Sequence, residues 1–217
     1  MKQYPEHPSL FVVDHPLVQH KLSHMRDKNT SIRDFRDLLK EIAVLIGYEA
    51  TKALPLTTRK IDTPMCTMEK APVLEGEPPI IVPILRAGLF MADGLLNILP
   101  NSAIGHVGMY RDHETKRPIE YFVKIPEVRE QHFILVDPMF ATGFSACAAV
   151  EALKKRGVKT DKMIFVALLG AMDAVEVFSK AYPEIPIYIG AIDECLNDQA
   201  YIIPGLGDAG DRLFGTL

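Results

Sequence analysis

The stretch Val136-Asp137-Pro138-Met139-Phe140-Ala141-Thr142-Gly143-Phe144-Ser145 places an acid at the end of an apolar strand, then a small hydroxyl-bearing turn, then the start of a helix. That order builds an anion cradle. The first N–H groups of a helix have no intrahelical partner, and the helix dipole adds partial positive charge at the same spot. Gly143 admits a ligand close to the backbone, and Thr142 and Ser145 add hydroxyl donors. Asp137 falls at the carboxyl end of its strand, where open α/β sheets bind their ligands. In isolation it reads equally well as a helix-capping or turn acid. Upstream, Pro83-Ile84-Leu85-Arg86-Ala87-Gly88 sets a cation between an apolar strand and a tight turn. By the same rule it shares an edge with Asp137, and a guanidinium fork there suits a diphosphate through bidentate donation. A lone surface arginine is more often merely solvated; beside an anion cradle, a functional role is the better reading.

These residues need a sheet to position them, and the pattern from Pro79 onward supplies one. Ile80 to Leu85, Ile104 to Tyr110, Phe133 to Val136, Met163 to Leu169 and Ile185 to Ile189 read as strands rich in Ile and Val. Between them Phe90 to Leu99, Gly143 to Arg156 and Met172 to Ala181 read as helices, with Gly157 as the C-terminal stop of the middle one. Continuous apolar strands joined by helices predict a mostly parallel sheet covered on both faces, an α/β architecture. Before it, an extended start leads to a helix over Leu17 to Lys28. A second helix is capped by Thr30 or Ser31, its apolar stripe running through Ile32, Phe35, Leu38, Leu39, Ile42, Leu45 and Ile46. Thr57 to Glu77 reads as an extended arm or hairpin and a candidate subunit contact. Arg111 to Lys124 is so charged that it reads as a mobile flap over a site.

Composition narrows the function classes. A chain of 217 residues, 48% hydrophobic and 24% charged, is long enough for one full core. A net charge of -4 gives no electrostatic ground for a nucleic-acid or anionic-membrane partner. The longest apolar run, Met163 to Met172, is too short to span a bilayer. No signal-peptide core is visible at the N-terminus, and Cys66, Cys147 and Cys195 lack C-x-x-C spacing, so they read as buried or incidental thiols of a cytoplasmic protein. His20 and His24 are four apart without a third ligand, which favours a solvated helix face over a metal site. His106, His113 and His132 have no triad companions. Gly205-Leu206-Gly207-Asp208-Ala209-Gly210 matches G-x-G-x-x-G, but only seven residues follow it, too few for a dinucleotide unit. A Gly-rich closing turn is the better reading, and with four Gly or Pro in Tyr201 to Asp211 it is a shaped loop able to line a base pocket with backbone.

Val136 to Ser145 resembles the phosphoribosyl diphosphate motif of uracil phosphoribosyltransferases. Pro83 to Gly88, the pair Tyr110-Arg111 and Tyr201 to Asp211 are similar to that family's other signatures, in the same order. Asp14-His15-Pro16-Leu17-Val18, Lys21-Leu22 and Met25-Arg26 agree as well, so the likeness covers nearly the whole chain. The phosphoribosyl motif alone names only the superfamily; the C-terminal motif is specific. The resemblance implies the type I phosphoribosyltransferase fold over residues 1–217 as a single domain, with N-terminal helices, an extended arm and a C-terminal hood loop. It implies transfer of the 5-phosphoribosyl group from phosphoribosyl diphosphate to uracil N1, giving uridine monophosphate and diphosphate, a step of pyrimidine salvage.

Carried over residue by residue, Asp137, Pro138, Met139, Phe140, Ala141, Thr142, Gly143, Phe144 and Ser145 hold the ribose hydroxyls and the 5′-phosphate. Arg86 and Arg111 neutralise the diphosphate. Ile202, Gly207, Asp208 and Ala209 contact uracil, and Asp208 also faces the phosphoribosyl moiety. The likeness does not assign the acceptor of the N1 proton, for which Asp208 is a candidate. The expected catalytic set is therefore Asp208, Arg86, Arg111 and Asp137. The resemblance also implies Mg²⁺ carried on phosphoribosyl diphosphate and no protein-anchored metal. The N-terminal helix and the Thr57 to Glu77 arm present more apolar surface than one sheet can cover, which predicts a homodimer or homotetramer; the size of the oligomer and allosteric activation by GTP or another nucleotide stay open. Pro138 stands where many other phosphoribosyltransferases have a second acid, Phe144 and Ala200 stand where this family commonly has Gly, and Gly170-Ala171-Met172-Asp173-Ala174 replaces its usual Ala-Ala-Pro-Glu-Gly. The rival from another class is a catalytically silent uracil or uridylate sensor on the same fold; the presence of Asp137, Thr142, Arg86 and Arg111 argues against it. A second rival is transfer to another base.

Overall fold

Alternation of inward-facing side chains along each strand shows why one sheet organises the chain. In the computed structural model, which describes residues 1–111 and 118–216, the elements run β1 (Lys2–Tyr4), β2 (His7–Val12), α1 (Pro16–Arg26), α2 (Ile32–Ala50), β3 (Leu56–Asp62), β4 (Thr67–Leu74), β5 (Ile80–Leu85) and α3 (Leu89–Leu96). They continue through β6 (His106–Arg111), β7 (Pro118–Lys124), β8 (Phe133–Phe140), α4 (Phe144–Lys154), β9 (Met163–Ala171), α5 (Met172–Ala181) and β10 (Ile187–Asp193), and end in β11 (Cys195–Leu196), β12 (Ile202–Ile203) and α6 (Ala209–Phe214). Eight strands form the main sheet in the order β1-β2-β10-β9-β8-β5-β6-β7. The inner pairings are parallel, and only the two edge pairs, β1/β2 and β6/β7, are antiparallel.

Both faces of this sheet are covered. Ile81, Ile134, Val136, Ile164, Val166 and Leu168 pack in one cluster with α1, α2 and α3, while Val82, Leu135, Phe133, Phe165 and Ala167 pack in the other with α4 and α5. Neighbours in sequence thus part to opposite faces, as a pleated strand requires. The predicted amphipathic helix is α2: Ser31 caps it by accepting from the Asp34 N–H at 3.1 Å, and Phe35, Leu39, Ile42 and Ile46 are buried. At the far end of α4, Gly157 takes φ +89° and the Val158 N–H returns to the Leu153 carbonyl at 3.2 Å, the expected helix stop.

Several expectations change. The extended start is a hairpin whose second strand runs parallel to β10, because Leu10 and Val12 find an apolar edge there. The first helix stops at Arg26, short of Lys28. The segment predicted as a flap folds over Pro118 to Lys124 as strand β7, paired with β6 and closing the sheet edge; residues 112–117 of that expectation lie outside the described residues. The strand predicted to end at Val136 continues to Phe140, since Asp137, Met139 and Phe140 still pair with Ala167, Leu169 and Gly170. The last core strand starts two residues later than predicted and runs on past Ile189 to Asp193. The arm, as expected over Thr57 to Glu77, is a two-stranded hairpin; it stands apart from the main sheet, with Leu56, Met65, Met68 and Leu74 exposed. Cys66 and Cys195 are exposed and only Cys147 is half-buried, so burial does not explain the thiols. Among the described residues no helix is long and apolar enough to cross a membrane.

Candidate active site

The strand order reverses beside β5: β6 lies on one side of it and β8 on the other, so a crevice opens beyond the carboxyl ends of β5 and β8. Arg86 follows β5 directly, across a cis Leu85–Arg86 peptide, and Asp137 sits in the carboxyl-terminal half of β8. A cleft of about 790 Å³ occupies this crevice. Arg86, Asp137, Met139 and the segment from Phe140 to Ser145 line one side; Ile202, Gly207, Asp208 and Ala209 line the other. Three segments distant in sequence therefore share one cavity.

The β8 end is anchored from behind. The Phe140 ring is 2% exposed and meets Phe165 at 4.8 Å and Phe178 at 5.8 Å between centroids. Burying such a ring contributes about 1.5–3 kcal/mol, enough to fix the root of the following loop. That loop turns at Gly143, the residue capping α4, where φ is +78° and an added Cβ would lie 2.9 Å from the Ala174 carbonyl. The half-buried hydroxyls of Thr142 and Ser145 border the cleft just before the open N-terminus of α4. Phe144 is exposed at the rim. Pro138 is buried and does not line the cleft, because strand alternation turns it to the opposite face from Asp137 and Met139. The Phe140 side chain likewise packs into the core, leaving that residue's main chain for any ligand.

Asp137 carries the strongest electrostatic signal at the site. Its carboxyl is pushed up to about 7, first by burial and then by repulsion from Asp208, against the pull of the Met139 N–H that it accepts at 3.3 Å. Two carboxyls thus face one space, where they can accept from hydroxyl or cationic groups. Asp137 stands well before α4 and does not cap it, which removes the helix-capping alternative. The other cleft groups differ in setting. Arg86 is exposed, its guanidinium 5.2 Å over the Phe214 ring. Arg111 ends β6, and its side chain lies outside the described residues.

The opposite wall is a hood made of the β11/β12 ribbon and the first turn of α6. Asp208 caps α6 by accepting from the Asp211 N–H at 2.9 Å, leaving its other oxygen toward solvent and the cleft. Ala200, also lining the cleft, has φ +63° and is the one non-glycine with a left-handed backbone among the described residues. Left-handed backbone costs an alanine roughly 1–2 kcal/mol. Glycine there loses about 0.4–1 kcal/mol through its freer unfolded chain. Ala200→Gly is accordingly expected to raise the thermal midpoint by about 1–4 °C in a scanning melt; a lowered midpoint would show that the turn stores no strain.

Sequence reasoning passed over the residues that hold this hood. Arg26 and Asp193 form a fork from α1 and β10 to Gly205, and Arg212 reaches from α6 to the Leu206 carbonyl at 2.9 Å and to the carbonyls of Met25 and Asp27. Met25-Arg26 was visible only as part of the family likeness, since a polar pair remote in sequence leaves no local signature.

A family model described as uracil phosphoribosyltransferase matches residues 12–216. This chain belongs to that family. A uracil phosphoribosyltransferase of Rhodospirillum centenum is 57% identical over 216 residues, covering 100% of both chains, and one of Ralstonia pickettii is 56% identical, covering 100% of this chain and 99% of its own. A solved Aquifex aeolicus protein superposes with a TM-score of 0.90 at 34% identity, over 95% of this chain and 98% of the other. The adenine phosphoribosyltransferase of Trypanosoma brucei shares the fold, with a TM-score of 0.60 at 13% identity over 96% and 91% of the two chains. The architecture is that of type I phosphoribosyltransferases. In this member of the family the switch-point crevice and the hood form one cavity.

Proposed function

We infer that this enzyme transfers the 5-phosphoribosyl group of phosphoribosyl diphosphate to uracil N1, releasing diphosphate and forming uridine monophosphate. The single observation that carries the reading is the convergence of Arg86, the Asp137 to Ser145 segment and the Ile202/Gly207–Ala209 hood on one cleft, in a chain of this family.

The chemistry divides among the walls. The α4 N-terminus with Thr142 and Ser145 takes the 5′-phosphate, and Asp137 accepts from the ribose hydroxyls. Arg86 and Arg111 bind the leaving diphosphate. Breaking the C1–oxygen bond builds positive charge on the ribose and negative charge on the diphosphate, so fixed cations at the leaving group and acids near the sugar stabilise the transition state more than the ground state. Uracil offers acceptor, donor and acceptor along one edge, which main-chain N–H and C=O groups at Ile202 and Gly207 to Ala209 complement. Cytosine would set its amino group against an N–H and leave that donor unpaired. Asp208, next to the base and beside the sugar, takes the N1 proton as the new C1–N1 bond forms.

Among the described residues no group of three His, Cys, Asp or Glu side chains is placed to hold a metal. A Mg²⁺ carried on phosphoribosyl diphosphate would stay on substrate oxygens, with the carboxyls of Asp137 and Asp208 facing the same cleft. When bound, Mg²⁺ neutralises charge on the diphosphate. The exposed apolar residues of the β3/β4 arm support assembly into a homodimer or homotetramer.

Ribose hydroxyls donating to Asp137 favour its ionised form, so binding drives a proton off a carboxyl that is about half protonated near pH 7 in the free protein. Affinity for phosphoribosyl diphosphate should therefore rise as pH increases through about 7 and flatten above it. Calorimetry in buffers of different ionisation enthalpy should show proton release near pH 7 beyond that seen with Asp137→Asn. Equal release by the two proteins would remove Asp137 from sugar binding.

Incubation with phosphoribosyl diphosphate, Mg²⁺ and each nucleobase in turn tests the function itself. Uridine monophosphate from uracil is the expected product. Nucleotide formed only from hypoxanthine or orotate would overturn the assignment, and no nucleotide from any base would favour the silent sensor.

A further inference from the structure

A base read by main-chain atoms is read only as well as the main chain is held. A displacement of about 1 Å at a reacting geometry can cost on the order of a hundredfold in rate. The hood's recognition segment has no long element of its own to hold it: β12 is two residues long and α6 six. What fixes it lies behind the cleft. Arg26, the last residue of α1, donates from Nη1 to Asp193 Oδ2 at 2.7 Å and from Nη2 to Asp193 Oδ1 at 2.6 Å. The same Nη1 donates to the Gly205 carbonyl at 2.8 Å, and the Gly205 N–H donates to Asp193 Oδ2 at 2.9 Å. Both polar groups of one peptide-forming residue are thus captured by one ion pair.

The location of that residue gives the contact its meaning. Gly205 has φ +62°, and a Cβ there would lie 2.0 Å from the Ile202 carbonyl, so the chain folds back tightly onto Ile202. Two residues further on, Gly207 begins the segment that borders the cleft. Fixing Gly205 therefore sets both ends of the base-facing wall. Neither Arg26 nor Asp193 lines the cleft. The Asp193 side chain is 6% exposed and that of Arg26 25%. An ion pair so far withdrawn from water is a weak source of net stability, because desolvation offsets the attraction; its distinctive product is a single geometry. The bidentate fork adds direction to that geometry.

We propose that Arg26 and Asp193 are positioning residues for the pyrimidine: their ion pair grips the Gly205 peptide and so sets the register of the main-chain groups that recognise the base. This rests on the uracil reading above. The pair acts through the loop and touches neither substrate, so its effect falls on the base and spares the phosphoribosyl side, which is held by β8, α4 and Arg86.

Steady-state kinetics with each substrate varied separately tests this, on the wild-type protein, Asp193→Asn, Arg26→Met and Arg26→Lys. Asp193→Asn keeps the shape and an acceptor for the Gly205 N–H while losing the charge, so it remains informative where Arg26→Met does not fold. The expected result is a KM for uracil raised on the order of tenfold or more, equivalent to about 1.4 kcal/mol, with the KM for phosphoribosyl diphosphate largely unchanged. Discrimination against cytosine should narrow, and Arg26→Lys should recover part of the loss relative to Arg26→Met. A purely structural role would lower the fraction of active enzyme and leave both KM values in place; that result, or an equal rise in both, would overturn the proposal. Wild-type protein in the same assay separates the two claims. Uridine monophosphate from wild type with an unmoved uracil KM in folded variants sinks the clamp alone, whereas no product from wild type sinks the function and the clamp with it.

Discussion

Replacing Asp208 with Asn should lower kcat by about 10²–10⁴-fold, the range general acid–base groups supply, while the thermal midpoint stays near wild type. The separation follows from the two jobs the side chain does. As the cap of α6 it accepts from the Asp211 N–H at 2.9 Å, and asparagine caps a helix about as well as aspartate. As a charged group in the cleft it faces the sugar and the base, and asparagine cannot take a proton there. A second readout comes from its neighbour. Burial is the main reason the Asp137 carboxyl lies near 7, and repulsion from Asp208 adds to it. Removing that repulsion should move the acidic limb of the pH–rate profile to lower pH. Turnover unchanged in Asp208→Asn would take this residue out of the mechanism.

Arg86→Gln should reduce kcat/KM for phosphoribosyl diphosphate by about 10²–10³-fold, comparable to losing one preorganised donor at a developing anion. Arg86 is exposed at the end of β5, its guanidinium 5.2 Å over the Phe214 ring, so folding should be little affected. The KM for uracil should move little, since the base is held by the opposite wall. Arg86→Lys should fall between the two, keeping a charge but not the fork that meets two oxygens at once. Steady-state kinetics with both substrates varied decides the matter. A variant within a few-fold of wild type, by the scale of a single surface ion pair, would place the diphosphate elsewhere.

Local physics made much of this molecule legible before its coordinates. The parallel core could be read because Ile80 to Leu85 and Met163 to Leu169 are apolar at every position, which only a strand covered on both faces tolerates. Helix α2 was visible in the spacing of Phe35, Leu39, Ile42 and Ile46. Asp137 and Arg86 were legible because a topological rule puts strand ends on one edge, and the structure brings both to one cleft. The edges were not. Lys2–Tyr4, His7–Val12 and Pro118–Lys124 carry mixed polar and apolar residues, so their membership in the sheet is set by an available neighbour and not by their own pattern. The end of β8 was misplaced because Asp137 and Pro138 look like turn residues, yet pairing with Ala167 and Leu169 carries the strand on to Phe140. The pairing of Arg26 with Asp193, 167 positions apart, has no local signal at all.

The central claim is that one cleft holds the phosphoribosyl group and the pyrimidine at the same time, and a crystal structure of the protein with uridine monophosphate tests it most directly. The account predicts the 5′-phosphate against Thr142, Gly143 and Ser145, the ribose hydroxyls on Asp137, and the uracil edge on main-chain groups of Ile202 and Gly207 to Ala209. A nucleotide whose pyrimidine turns away from the hood, with the Gly205 to Asp211 segment making no contact to it, would contradict the account.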